Sequence, residues 1–557
     1  MKKPPNLLFG VDERPPRAVT LLNGVQHAAV IGINLLYPVL VFRIAGATTE
    51  TITALLEMGW CILALATFLQ VLPKGPVGCG YMCPATFTAT YFGPSVLAAK
   101  SGGLALVFGM TIFAGALEAA LARALHRLRA FVPAELSGLV ILLIGMSVGL
   151  IAVRTFLGDG SGAPSVREWI VAAITLAITL GVNIWGGGTA RMLCALIGMA
   201  CGYLAAWWLG VLSAADLRPV EEAAWIALPY PRHVSWSFDP GLAAAMKALG
   251  TITVCQRTND ADWVRPDGER NARGVLADGL GSVLSGLLGG LGINTSTPSV
   301  GLASATGVAS RTVAYAVGAI FLALALTPKL AAMLAVMPRA VMVAALLFAA
   351  CFIVINGLQI ITSRLLDARR TLVIGLGFIA GAAVEAIPVI AASATGGMRS
   401  IIGSSLVFGT LVAFLLNMVF RLGVRRTVSI TIDPAGHDPA RIDEFLRKQG
   451  GIWGARPDVV GRAIFGVNQL IEAVLEHGRP PGALELQAAF DEFNLDVRLR
   501  YEGVPLEFPQ TRPSLEQIQH SEDGAKKLAG FLLRRNADRV RAERDGPRAL
   551  IWFHFDH

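Results

Sequence analysis

Charge is scarce in this chain. Asp, Glu, Lys and Arg make up 15% of its 557 residues, against about a quarter in soluble domains. That excludes an ordinary soluble fold for most of the length. Cysteine is sparse as well: Cys61, Cys79, Cys83, Cys194, Cys201, Cys255 and Cys351 all lie in or beside apolar segments. Their spacing fits no zinc site and implies no disulfide framework. A metal-ligand cluster and paired histidines are missing, which removes the commonest metalloenzyme signatures. The expectation is a protein that is not an enzyme and holds no cofactor or metal. The opening MKKPPNLLFGVDERPPR is polar and lacks the pattern of a cleavable signal.

Apolar sequence is what the chain has in abundance. Hydrophobic residues make up 54%, and the mean hydropathy is +0.59. Runs near the ~20 residues that span a bilayer recur from residue 18 to residue 421. Charged residues then become frequent and the runs stop. The expected organisation is a cytoplasmic N-terminal segment (1–17), a membrane domain (18–421) and a cytoplasmic α/β domain (427–557). The membrane domain holds about fourteen apolar segments. Basic clusters fix the expected orientation: Arg123, Arg127 and Arg129; Arg265, Arg270 and Arg273; Arg364, Arg369 and Arg370; Arg421, Arg425 and Arg426. These mark cytoplasmic loops, so both termini are expected on the cytoplasmic side of the inner membrane. The same loops account for the net charge of +8, which therefore needs no nucleic acid partner.

Two segments are weak in hydropathy and alike in kind. The third (79–98) reads GCGYMCPATFTATYFGPS, and the tenth (297–308) is entered through GINTSTPSVGLASATG. Each runs from Gly through Pro into small and hydroxylated residues. Such a stretch at membrane depth is a close packing face or a broken helix lining a cavity. The two lie half of the count apart, and a repeat with an odd number of spans is inverted across the membrane. Matched Gly/Pro-interrupted segments in two halves point to a transport site. Pro298 opens a short helix whose free N–H groups favour a carbonyl oxygen or an anionic solute.

Polar residues inside the spans are few, and each is a functional candidate. Gln26 and His27 sit in the first segment, and His27 either meets a substrate or braces a neighbouring helix. Gln256, Arg257, Asn259 and Asp260 end the eighth segment (240–259), where Arg257 and Asp262 fit the cytoplasmic interface equally well. Asp278 opens the ninth (274–291) as a coupling group or as a brace. Glu57 and Glu118 also lie within spans, without an assigned role.

The Gln26–His27 pair, the run Pro298-Ser299-x-Gly301-x-x-x-x-Thr306-Gly307 and the segment layout together resemble the nucleobase–ascorbate transporter family. The resemblance covers residues 18–421. It implies about fourteen segments in two inverted repeats of seven, with a core domain moving against a gate domain. It implies a short strand and a half-helix in the third and tenth segments, with the substrate between them. It assigns substrate contacts to Gln26, His27, Ala85, Phe87, Gln256, Pro298, Ser299 and Gly301, coupling to Asp260 and Asp278, and the signature to Thr306 and Gly307. The implied substrate is a nucleobase such as xanthine, urate or uracil, with H⁺ or Na⁺ co-transported. The other implied partners are membrane lipid and a second copy through the gate domain. Two positions depart from the pattern. Gln256 stands where an acid is usual, and an amide cannot titrate. Ser299 stands where Asn is usual. These departures keep open a second reading, a non-transporting receptor or regulator built on the transporter fold.

The last part of the chain alternates strand and helix patterns: TVSITID, AIFGVNQLIEAVLEH, DVRLRYEG, LAGFLLRRNADRV and ALIWFHF. NQLIEAVLEHG, YEG and LAGFLLRRNADRV resemble the ATPase domain of histidine kinases and anti-sigma-factor kinases. That resemblance places the family's base on Asn468, its magnesium ligand on Glu472, its adenine-reading Asp on Tyr501 and the following Gly on Gly503. Asn468 cannot abstract a proton from water. The tail is therefore expected to be a degenerate regulatory domain that binds a cytoplasmic partner, with ATP binding left open.

Overall fold

A computed structural model describes residues 7–122, 134–158, 163–239, 268–296, 299, 302–303, 306–362, 366, 368–387, 389, 402, 404–420, 426–434, 438–453, 455, 457–478, 480–490, 494–504, 506–511 and 522–556. The chain divides into two compact units, Met1–Ile361 with Ile374–Phe414, and Thr362–Val373 with Leu415–His557.

Among the described residues, the first unit is helical apart from two short strands. In order it contains α1 (Arg17–Gly32), α2 (Leu36–Ile44), α3 (Thr49–Val71), β1 (Ala85–Phe87), α4 (Ala89–Ala122), α5 (Ala134–Leu157), α6 (Val166–Trp185), α7 (Cys194–Trp208), α8 (Ala214–Glu222), α9 (Gly268–Leu287), β2 (Ile293–Thr295), α10 (Arg311–Ala325), α11 (Pro328–Ala335) and α12 (Arg339–Ile361). Two further helices follow, α13 (Ala368–Ala386) and α14 (Ser405–Phe420). Among the described residues six helices are long and apolar enough to cross a membrane, or seven if α10 and α11 count as one span. That pair bends by 81°. Pro328 opens α11, and a proline at that place cannot continue the preceding helix. The bend lies within a stretch that reads as one segment by hydropathy.

Helix starts follow local chemistry. Thr48 accepts from the Thr51 N–H at 3.3 Å ahead of α3. Ser165 and Glu168 form a reciprocal cap on α6. Glu168 also takes Arg339 in a two-pronged pair, at 2.5 Å from Nε and 3.0 Å from Nη2, tying α6 to α12. α8 lies between apolar segments, is capped by Ser213 and Asp216, and buries no side chain. No apolar period announces it. α4 is two helices in one, because Gly102 and Gly103 leave helical geometry and Gly103 has φ 64°. The first part is the half-helix that follows β1.

Small residues let the helices meet backbone to backbone, the usual membrane solution. A Cβ at Gly115 would stand 2.6 Å from Val283 N, and one at Gly279 would stand 2.6 Å from Ala119 N, so α4 and α9 touch directly. Gly138 and Gly357 do the same for α5 and α12.

The second unit carries an antiparallel sheet of five strands in the order β3-β4-β5-β7-β6. Its elements are β3 (Arg426–Ile432), α15 (Pro439–Trp453), α16 (Pro457–Ala473), β4 (Leu484–Phe490), β5 (Asn494–Glu502), α17 (Glu522–Asn536), β6 (Arg539–Asp545) and β7 (Arg548–Asp556). Alternation along β5 buries Leu495, Val497, Leu499 and Tyr501. These side chains share a core with Val467, Leu470 and Ile471 of α16 and with Ile551, Phe553 and Phe555 of β7. The helical reading of LAGFLLRRNADRV stops early, because Arg539 and Val540 already belong to β6. β6 and β7 form a hairpin turning at Gly546, whose φ is 60°.

Candidate substrate site at the crossing strands

β1 and β2 pair antiparallel, with Ala85 opposite Thr295, Thr86 opposite Asn294 and Phe87 opposite Ile293. Unpaired backbone cannot persist inside a membrane protein, and each short strand satisfies the other. Ser296 N donates to the Pro84 carbonyl at 2.9 Å and extends the contact. Each strand then turns into a helical segment, Ala89 onward after β1, and Ser299, Leu302, Ala303 and Thr306 after β2. Ser296 caps the second: its hydroxyl accepts from Ser299 N at 3.4 Å and from Ser299 Oγ at 2.9 Å.

Ala85 and Phe87 are both buried against α3. Ala85 N donates to Thr67 Oγ1 at 3.0 Å, and the Phe87 ring packs on Gly59. Thr86 has the other orientation and takes a hydrogen bond from Asn34 Nδ2 at 2.7 Å. Asn34 sits in a single 3₁₀ turn, Ile33–Leu35, between α1 and α2. Its one sequence signal was an amide inside an apolar run.

His27 is fully buried on α1. Its Nδ1 lies 2.8 Å from the Asn23 carbonyl and its Nε2 3.2 Å from the Ser299 carbonyl. Both partners are acceptors, and a neutral imidazole carries a single N–H, so the tautomer decides which of the two contacts is the hydrogen bond. Gln26 is buried beside it.

Asp278 is buried on α9 and fastens β2 to α3. The Gln70 amide nitrogen donates to Asp278 Oδ1 at 3.1 Å, to Thr295 Oγ1 at 2.7 Å and to the Gly274 carbonyl at 3.2 Å. Thr295 Oγ1 in turn donates to Asp278 Oδ2 at 3.2 Å. Ser282 on the same helix meets both the N–H and the carbonyl of Ile293 at 3.1 Å.

Thr306 and Gly307 end the second half-helix. Thr306 Oγ1 donates to the Leu302 carbonyl at 2.9 Å, and Gly307 has φ 67°. The Gly307 carbonyl accepts from Leu8 N at 2.8 Å and from Phe9 N at 3.0 Å, so the segment before α1 crosses beneath this turn. Arg311 clamps it there. Its Nε donates to the Gly80 carbonyl at 2.5 Å and its Nη1 pairs with Asp12. Nothing in the sequence signalled this strap. Gln256, Asp260, Pro298 and Gly301 lie outside the described residues.

In the tail, Asn468 donates to Asp443 Oδ1 at 2.9 Å, Glu472 is exposed one turn further along α16, and Gly503 has φ 148°. Tyr501 is buried in the core and spends its hydroxyl on the Val504 carbonyl at 2.8 Å. Burial pushes its phenol up to about 12.

The permease family model Xan_ur_permease matches residues 18–390. The xanthine permease XanP of Escherichia coli (strain K12) is 26% identical over 438 residues, covering 74% of this chain and 94% of that one. The uric acid permease PucJ of Bacillus subtilis (strain 168) is 27% identical over 416 residues, covering 72% of this chain and 92% of that one. Among solved structures, the transmembrane domain of the cyanobacterium bicarbonate transporter BicA aligns with a TM-score of 0.43 at 15% identity, over 73% of this chain and 99% of that one. The chain belongs to this permease family, and it is a helical multi-pass membrane transporter rather than an enzyme.

Proposed function

We propose that the chain carries a nucleobase across the membrane by alternating access, coupled to a proton or another cation. The substrate class is a purine such as xanthine or urate, or uracil. The observation that carries this reading is the β1–β2 crossing with a half-helix leaving each strand, in a chain whose relatives are named xanthine and uric acid permeases. A base presents an edge of N–H donors and C=O acceptors. Backbone amides, Ser299 and the Gln256 amide offer the complement. His27 and Asp278 then act as brackets that hold Ser299 and β2 in position.

The finer arrangement belongs to the same proposal. It comprises fourteen spans in two inverted repeats, an inner-membrane location, cytoplasmic termini and a tail that regulates through a cytoplasmic partner. Uptake into proteoliposomes tests the substrate class. Purified chain should exchange at least one of radiolabelled xanthine, urate and uracil, with unlabelled substrate competing. A chain that folds yet exchanges none of them would defeat the reading.

A further inference from the structure

We infer that Glu118 is the carboxylate through which this transporter takes up and releases its coupling proton, and that Tyr91 positions it against the crossing strands. The inference rests on the cation-coupled reading above and deepens it.

Glu118 is buried on α4. Tyr91, on the half-helix that follows β1, donates its hydroxyl to Glu118 Oε2 at 3.0 Å. The Tyr91 ring lies against Gly292, the residue before β2, where a Cβ would collide with it. The Gly292 carbonyl also accepts from Thr88 N at 3.4 Å. A single side chain thus joins the carboxylate to both halves of the crossing.

The second observation is the contact between α4 and α9. Glu118 immediately precedes Ala119, and Asp278 immediately precedes Gly279, the two residues whose backbones meet there. Two buried carboxylates therefore flank one close helix contact. Two negative charges in such a place repel, and a proton on one of them removes the repulsion. Asp278 is held at the crossing by Gln70 and Thr295, whereas the hydrogen bond that Glu118 accepts comes from Tyr91 on the half-helix, so Glu118 is the carboxylate whose environment follows the half-helix. The titratable groups facing this contact include Tyr91 and Cys79, with Arg270 facing Cys79 from α9.

The coupling logic is mechanical. Tyr91 rides on the half-helix, so a shift of that half-helix changes the hydrogen bond that Glu118 accepts. Substrate occupancy and protonation are then linked, and linkage is reciprocal. In each cycle one proton from the outer solution adds to a Glu118 oxygen and later leaves to the inner solution. No other bond forms or breaks.

Two assays on the full chain in proteoliposomes separate the steps: substrate exchange at uniform pH, and accumulation driven by an inward proton gradient. The probes are radiolabelled xanthine, urate and uracil. Wild type is expected to do both. Glu118→Gln should retain exchange while gradient-driven accumulation falls about tenfold or more. Tyr91→Phe keeps the ring on Gly292 and removes the hydroxyl. It should retain exchange and move the pH midpoint of accumulation by about half a unit or more. Accumulation by Glu118→Gln at the wild-type level would overturn the inference. So would an unmoved midpoint in Tyr91→Phe, or loss of exchange together with accumulation in Glu118→Gln. Wild type that exchanges substrate but ignores the proton gradient would overturn the inference alone. Wild type that exchanges no nucleobase would sink the function it rests on as well.

Discussion

His27 Nε2 stands 3.2 Å from the carbonyl of Ser299, 272 residues further along the chain. The bond joins the first helix to the half-helix after β2, and it is made inside a fully buried pocket of side chains. Removing the ring leaves a buried carbonyl without its donor, which costs about 1–3 kcal/mol. His27→Ala is therefore expected to lower the melting temperature and raise KM for the transported base. His27→Asn keeps a donor, but on a shorter side chain, and should fall between. Thermal melts and uptake kinetics on the three proteins check this. Equal KM and equal melting for all three would remove the bracket role.

The Gln70–Thr295–Asp278 triangle makes a prediction about additivity. Its members share hydrogen bonds, so removing one also disables the others. Gln70→Leu and Thr295→Val should each destabilise by about 1 kcal/mol, with the double variant well short of the sum. A double-mutant cycle on the melting free energy reads it. Strict additivity would mean that the triangle does not act as a unit.

The strap beneath the signature turn separates two kinds of contact on one arginine. The Arg311–Asp12 ion pair is open on one side, with Asp12 76% exposed and Arg311 19%. Exposed pairs contribute about 0–1 kcal/mol, so Asp12→Ala should be nearly silent. Arg311→Ala also loses the donor to the Gly80 carbonyl and should loosen the residues before α1. Limited proteolysis of that segment is the readout. Cleavage accelerated equally by both variants would place the weight on the ion pair instead.

The two broken segments were legible because Gly, Pro and hydroxyl residues interrupt two apolar runs, a local signal at Pro84 and Pro298, while the strands within them came only with the family resemblance. The partners of those strands were not. Asn34 with Thr86, Tyr91 with Glu118 and Gln70 with Thr295 join residues that only the fold brings together. In the sequence each is one polar residue in an apolar run, with nothing to say which partner it meets. Phe87 and Thr86 illustrate the period-2 rule: the Phe87 ring turns to α3 while the Thr86 hydroxyl turns to Asn34. In the tail the strand alternation was plain, yet the end of the helix at Asn536 was not. Its last turn and the first residues of β6 carry similar Arg-rich sequence.

The tail carries a pH signature of its own. His554 Nδ1 lies 2.7 Å from Asp496 Oδ1, and Nε2 lies 3.1 Å from Asp556 Oδ1. The bond to Asp496 and the two carboxylate charges raise the imidazole above its usual value, against a smaller effect of burial. A raised folded value means that the folded state holds its proton more tightly than the unfolded chain does. The resulting stability is fully present below the unfolded value of about 6.5 and is lost as pH rises through the folded value. Melting of the tail within the full chain should therefore decline from mildly acidic toward alkaline pH. Asp496→Asn removes the first cause and should flatten that decline while leaving the sheet intact by circular dichroism. A decline unchanged in Asp496→Asn would assign the pH dependence to another group.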